Sequence, residues 1–134
     1  MGIPMRRLLL VEDDLKDLEF AANTARSLGF EQVDARTSSG GARVYLENGL
    51  DGSGPLPDCI VLDLNLGYDS GYEVLRFWHI TSRLKEIPVL VWSVLGDEQR
   101  EMCNLFKASF VGKWEGNEAF REALSNLRQS PPKN

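Results

Sequence analysis

The sequence predicts an α/β fold, with one parallel sheet and helices packed on both of its faces. Strand-length apolar runs alternate with helical patterns five times along the 134 residues, and such alternation calls for parallel strands joined by right-handed helical crossovers. The runs are apolar throughout, as in RLLLV at 7–11 and CIVL at 59–62, which marks strands covered on both faces. No repeat or linker-like stretch divides the chain. Positions 1–134 therefore read as a single domain, with a core over about 6–128 and a short polar tail at 129–134.

Each element has its own local justification. The first strand, 7–11, runs toward Asp14, whose carboxylate suits the N-cap of a helix. Leu15, Leu18, Ala22, Ala25 and Leu28 share one side of that helix, and Gly29 ends it. A weaker strand at 32–36 precedes a short helix over about 41–47. The stretch GLDGSGPLP at 49–57 reads as a loop, because its glycines lack the preceding strand and following helix of a dinucleotide-binding turn. The third strand, 59–62, runs straight into Asp63, and a glycine-bearing loop leads to a helix over about 70–83 carrying Val74, Leu75, Trp78 and Ile80. Pro88 opens a fourth strand at 89–92, followed by a helix over about 98–107 and a short strand at 109–111. A last helix over about 117–128 places Phe120, Ala123, Leu124 and Leu127 on one stripe.

Composition narrows the function. A hydrophobic fraction of 43% supports a sizeable core, and 26% charged residues suits a soluble surface. The formal net charge of -5 argues against a nucleic-acid partner, because no basic stripe exists to displace counterions. No apolar run approaches the roughly 20 residues needed to span a bilayer. The N-terminus MGIPMR lacks the apolar stretch of a signal peptide, and Gly2 lacks the Ser or Thr of a myristoylation site. Cys59 and Cys103 read as reduced, partly buried thiols, which makes the cytoplasm the natural compartment. His79, the only histidine, falls mid-helix and reads as an exposed or partly packed helix residue.

The polar residues converge. In an open parallel sheet, ligands bind beyond the carboxyl ends of the strands. Glu12, Asp13 and Asp14 follow the first strand, Asp63 the third, Ser93 the fourth and Lys113 the fifth. Glu12, Asp13 and Asp63 would repel one another, whereas one ammonium from Lys113 and one hard dication would balance them. Magnesium suits such a carboxylate site, and no cluster of His or Cys competes for a softer metal. A carboxylate oxygen of Asp63 could then attack phosphorus in line, with Lys113 stabilising the developing charge and Ser93 donating to a phosphoryl oxygen.

The matching strings are LLVEDD at 9–14, IVLDLNL at 60–66 with Gly71, VWS at 91–93 and FVGK at 110–113. In this order the chain resembles a CheY-like response regulator receiver domain of the stand-alone type. The resemblance implies a flavodoxin-like (βα)5 doubly wound sheet with strand order 2-1-3-4-5. It implies phosphorylation of Asp63 by a histidine kinase or phosphotransfer protein in a two-component phosphorelay. Magnesium would be held by Asp13, Asp63 and the backbone carbonyl of Asn65, with Glu12 acting mostly through water. Phe110 matches the aromatic position that moves with Ser93 on phosphorylation. Output would pass through contacts with a downstream protein target, with no membrane or nucleic acid involved, and a homodimer is left open.

Three residues depart from that pattern. Gly67 stands where proline is usual and loosens the loop. Val94 replaces a small residue and narrows access to Asp63. Trp114 replaces the proline after Lys113, so the Lys113–Trp114 bond is expected to be trans, since a cis bond there costs about 2.5–4 kcal/mol. Trp92, Phe106, Phe110 and Trp114 read as a mixture of core and rim aromatics, with a protein-binding face as the alternative. Two other functions compete. One is a receiver-like interaction module that is never phosphorylated. The other is a haloacid-dehalogenase-type phosphatase, which would need a second acid where Asn65 stands.

Overall fold

The computed structural model describes residues 7–94 and 96–129. The N-terminal hexapeptide read for targeting signals and the tail at 130–134 lie outside them. β1 (Arg7–Val11), α1 (Leu15–Ser27), β2 (Gln32–Arg36), α2 (Ser39–Asp51) and β3 (Cys59–Leu62) form the first half. A small antiparallel hairpin of β4 (Asn65–Leu66) and β5 (Asp69–Ser70) follows, then α3 (Tyr72–Ile80) and α4 (Ser82–Lys85). β6 (Val89–Ser93), α5 (Asp97–Phe106), β7 (Ser109–Gly112), a 3-10 turn (Lys113–Glu115) and α6 (Asn117–Gln129) complete the order.

β2, β1, β3, β6 and β7 lie side by side in that order, and every pairing is parallel. Numbered within the main sheet alone, this is the expected order 2-1-3-4-5. The apolar runs explain how the sheet is covered. Leu9 and Val11 of β1, Ile60 and Leu62 of β3, and Val89 and Val91 of β6 join Leu46, Leu75, Trp78 and Cys103 in one core. The alternate residues Leu8, Leu10, Cys59, Val61, Leu90 and Trp92 pack on the other side against Ala21, Ala25, Phe120 and Leu124. Thus α1 and α6 cover one face, and α2 to α5 the other. Each buried leucine contributes on the order of 1.5–3 kcal/mol relative to exposure, and the central strands are buried on both sides.

Several sequence expectations need correction. The second helix begins at Ser39 and runs through Asp51, so Gly49 to Asp51 are helical and the loop starts at Gly52, which caps the helix with φ 86°. Ser38 caps its start by accepting from the Gly41 N–H at 3.0 Å. The helix expected over 70–83 is two pieces, because Thr81 turns extended between α3 and α4. Leu15, placed on the apolar side of the first helix, and Ile80, named among the apolar residues of the helix after Asp63, are 76% and 68% exposed. Both sit at a helix end, where the apolar pattern outruns the surface that the sheet covers. Cys59 and Cys103 are fully buried, deeper than expected. Asp14 caps the start of α1 as anticipated, accepting from the Asp17 N–H at 2.9 Å, and Gly29 ends the helix just past the C-cap Leu28 with φ 103°.

Candidate functional site

The carboxyl ends of the strands carry the site. β1 ends just before Glu12, β3 just before Asp63, β6 at Ser93 and β7 just before Lys113. The register keeps these ends level, with Val11 opposite Leu62 and Ser93 opposite Gly112. Glu12 and Asp63 are buried, Asp13 is exposed, and one carboxylate oxygen from each lies within 4.8 Å of the others.

Lys113 reaches into this cluster. Its Nζ donates to Glu12 Oε1 at 2.6 Å, to Asp17 Oδ2 at 2.7 Å and to Asp63 Oδ2 at 2.9 Å. It also lies 4.8 Å from the centre of the Trp92 ring. The second oxygen of Asp63 accepts from the Asn65 N–H at 2.9 Å, and the second oxygen of Glu12 accepts from the Asp14 N–H at 3.2 Å. Burial alone would discharge Lys113, but its hydrogen bonds to Asp17, Glu12 and Asp63 outweigh it and hold its pKa above the ordinary value. For Glu12 burial wins over Lys113, and with the nearby charge of Asp63 it pushes the carboxyl up to about 8.

Glycines shape the surroundings. At Gly71 an added Cβ would lie 2.1 Å from the Asp63 carbonyl oxygen, so only glycine lets the hairpin close against the strand end. Gly67 has φ 71°, a left-handed conformation that proline cannot adopt. A Cβ there would lie 3.2 Å from Asp13 Oδ2. This departure thus fits a differently shaped hairpin.

The Lys113–Trp114 bond is trans, as expected, since no described peptide is cis. The turn is closed in another way. Glu115 accepts from the Gly112 N–H at 2.6 Å and from Arg100 at 2.9 Å, while the Trp114 ring lies directly over Gly112. Trp92 is buried, Phe106 and Phe110 are half-buried, and Trp114 is 56% exposed, so the aromatics do mix core and rim. Phe110 sits 6.1 Å from Trp114, and the Arg100 guanidinium lies 4.9 Å from its ring. Val94, read as narrowing the entrance, is exposed. His79, expected mid-helix, falls instead in the last turn of α3, because the helix stops at Ile80; it is half-buried and stacks on Phe106 at 4.3 Å.

Of the residues singled out from the sequence, Glu12, Asp13, Asp63 and Lys113 are drawn together at this edge. Ser93 is fully buried at the end of the strand adjoining β3. Asn65 contributes its N–H to Asp63. Asp17 was missed. Its signal was the capping pattern itself: with Asp14 as N-cap, Asp17 falls in the first turn of α1, on the end of the helix facing the site.

This is the fold of response regulator receiver domains, and comparison with known proteins agrees. The phosphorylated cyanobacterial phytochrome response regulator RcpA superposes with a TM-score of 0.76 at 26% identity, over 93% of this chain and 92% of that one. The bacteriophytochrome response regulator RtBRR gives 0.77 at 25% identity, over 97% of this chain and 82% of that one. The Mn2+-bound form of response regulator Rcp1 gives 0.78 at 22% identity, over 96% and 99%. In sequence, the chain is 28% identical over 100 residues to the phosphate regulon transcriptional regulatory protein PhoB of Escherichia coli strain K12. That match takes in 75% of this chain but only 41% of PhoB. No family model matches the chain.

Proposed function

We propose that this chain is a receiver that accepts a phosphoryl group on Asp63 in a magnesium-dependent reaction. One observation carries the reading: on a receiver fold, a buried Asp63 is paired with Lys113, and carboxylate oxygens of Glu12, Asp13 and Asp63 lie within 4.8 Å of one another.

The cluster fits a hard divalent ion. Its donors are all carboxylate oxygens, and Asp13 lies in a cradle at Gly67 that a side chain would crowd. Asp13, Asp63 and the Asn65 carbonyl would hold the ion, with Glu12 behind them. When bound, magnesium supplies positive charge for the oxygens of the transferring phosphoryl group.

The protein's own residues do the rest. Asp63 supplies the nucleophilic oxygen, fixed by the Asn65 N–H. As its bond to phosphorus forms, the bond from phosphorus to the donor's imidazole nitrogen breaks. That nitrogen keeps the electron pair and takes a proton from water. The product is an acyl phosphate. Lys113 balances the added charge, and the Ser93 hydroxyl donates to a phosphoryl oxygen. A histidine kinase or phosphotransfer protein in the cytoplasm is the donor, and a downstream protein reads the change through Ser93 and Phe110. No helix of the described residues is long and apolar enough to cross a membrane.

The test is intact mass after incubation with magnesium and a small acyl-phosphate donor. The reading expects one added phosphoryl group, lost with Asp63→Asn and lost on chelation. An unmodified wild type that also binds no divalent ion would leave the unphosphorylated interaction module in its place.

A further inference from the structure

Before transfer, both oxygens of Asp63 are engaged. Oδ2 accepts from Lys113 and Oδ1 from the Asn65 N–H. An Asp63 oxygen that bonds to phosphorus cannot keep a full hydrogen bond from an ammonium, so Lys113 has to yield. Its side chain is only 12% exposed, and an unpaired ammonium at such a place is unfavourable. Glu12 is no relief, because it belongs to the same three-carboxylate cluster. Asp17 is different. It stands outside that cluster, its backbone is tied into the first turn of α1 by Asp14, and its carboxylate already holds Nζ at 2.7 Å.

We propose that Asp17 is a positioning residue: it keeps Lys113 anchored on the α1 side while the ammonium leaves Asp63 for the incoming phosphoryl group. The inference rests on the phosphoacceptor reading above and names a residue that the reading does not otherwise need. Without the Asp17 charge, Lys113 pairs more strongly with Asp63 and Glu12, and the site loses one negative charge. Both effects oppose entry of a dication, and both raise the magnesium concentration needed for transfer.

Mn2+ titration of the full chain, read by loss of the free-ion paramagnetic resonance signal, tests this beside the magnesium dependence of Asp63 phosphorylation. Asp17→Asn should bind Mn2+ about fivefold more weakly, the size expected for one charge acting on a dication across several ångströms of water-like medium. Half-maximal phosphorylation should need correspondingly more magnesium, with a smaller change at saturation. Asp17→Glu should restore both, and thermal stability should change little. If wild type binds Mn2+ and is phosphorylated while Asp17→Asn matches it in both, the positioning role is overturned. If wild type itself binds no Mn2+ and takes no phosphoryl group, the phosphoacceptor reading has failed and the inference goes with it.

Discussion

At the scale of single residues, the site is set by what each position excludes. Gly71 is the clearest case, since a Cβ there would overlap the Asp63 carbonyl, a backbone atom that cannot move cheaply. Gly71→Ala is expected to lose about 1–3 kcal/mol in denaturant unfolding, because overpacking against backbone displaces the strand end. It should slow phosphorylation of Asp63 as well. Glu12 gives a pH signature. Its folded pKa, about 8, lies above the unfolded value near 4.5. The neutral carboxyl is therefore favoured in the fold, and stability present at pH 4.5 is lost as pH rises toward 8. In metal-free buffer, unfolding followed from pH 5 to 8 should show this decline, and Glu12→Gln should flatten it. Glu12, Asp63 and Lys113 could be read from the sequence because each directly follows a strand, with Asp13 one residue past Glu12, and strand ends meet at one edge of a parallel sheet. Asp17 could not, since a helix-borne carboxylate on a first turn looks like an ordinary dipole partner until Lys113 is seen to reach it.

At the scale of elements, the turn after β7 shows a local replacement. Proline is absent, so nothing covalent fixes the direction of Lys113. Glu115 instead reaches back to the Gly112 N–H and pairs with Arg100 on α5. Glu115→Ala removes that closure and should cost about 1 kcal/mol, the usual net value of one hydrogen bond. The emission of Trp114 should shift to the red as its ring leaves Gly112. The Arg100 pair itself is partly solvent-exposed and contributes little alone. The strands were legible because buried parallel strands are apolar throughout. Helix ends were less so. Gly40 and Gly41 disguised the start of α2, where caps from Ser38 and from Asp69 decide the matter. Asp69 accepts from the Ser39 N–H at 2.6 Å and from the Ser39 hydroxyl at 2.7 Å, a contact across 30 residues that no local pattern announces. The β4–β5 hairpin was hidden for a similar reason, since two-residue strands carry no periodicity.

At the scale of the whole molecule, two cores back to back hold the sheet rigid, and the site stands at one edge of it. That arrangement explains why a chain with departures at 67, 94 and 114 still brings its carboxylates and lysine together: the strands set the distances, and the loops adjust. The parallel order was legible from the alternation of elements and from the resemblance that the ordered strings carry. The central claim is that Asp63, and no other carboxylate of the cluster, takes the phosphoryl group. Borohydride reduces an acyl phosphate to an alcohol, so treatment of the phosphorylated chain followed by peptide mass mapping marks the acceptor. The account predicts homoserine at position 63 and intact acids at positions 12, 13 and 17. Reduction at one of those three, with position 63 unchanged, would contradict it.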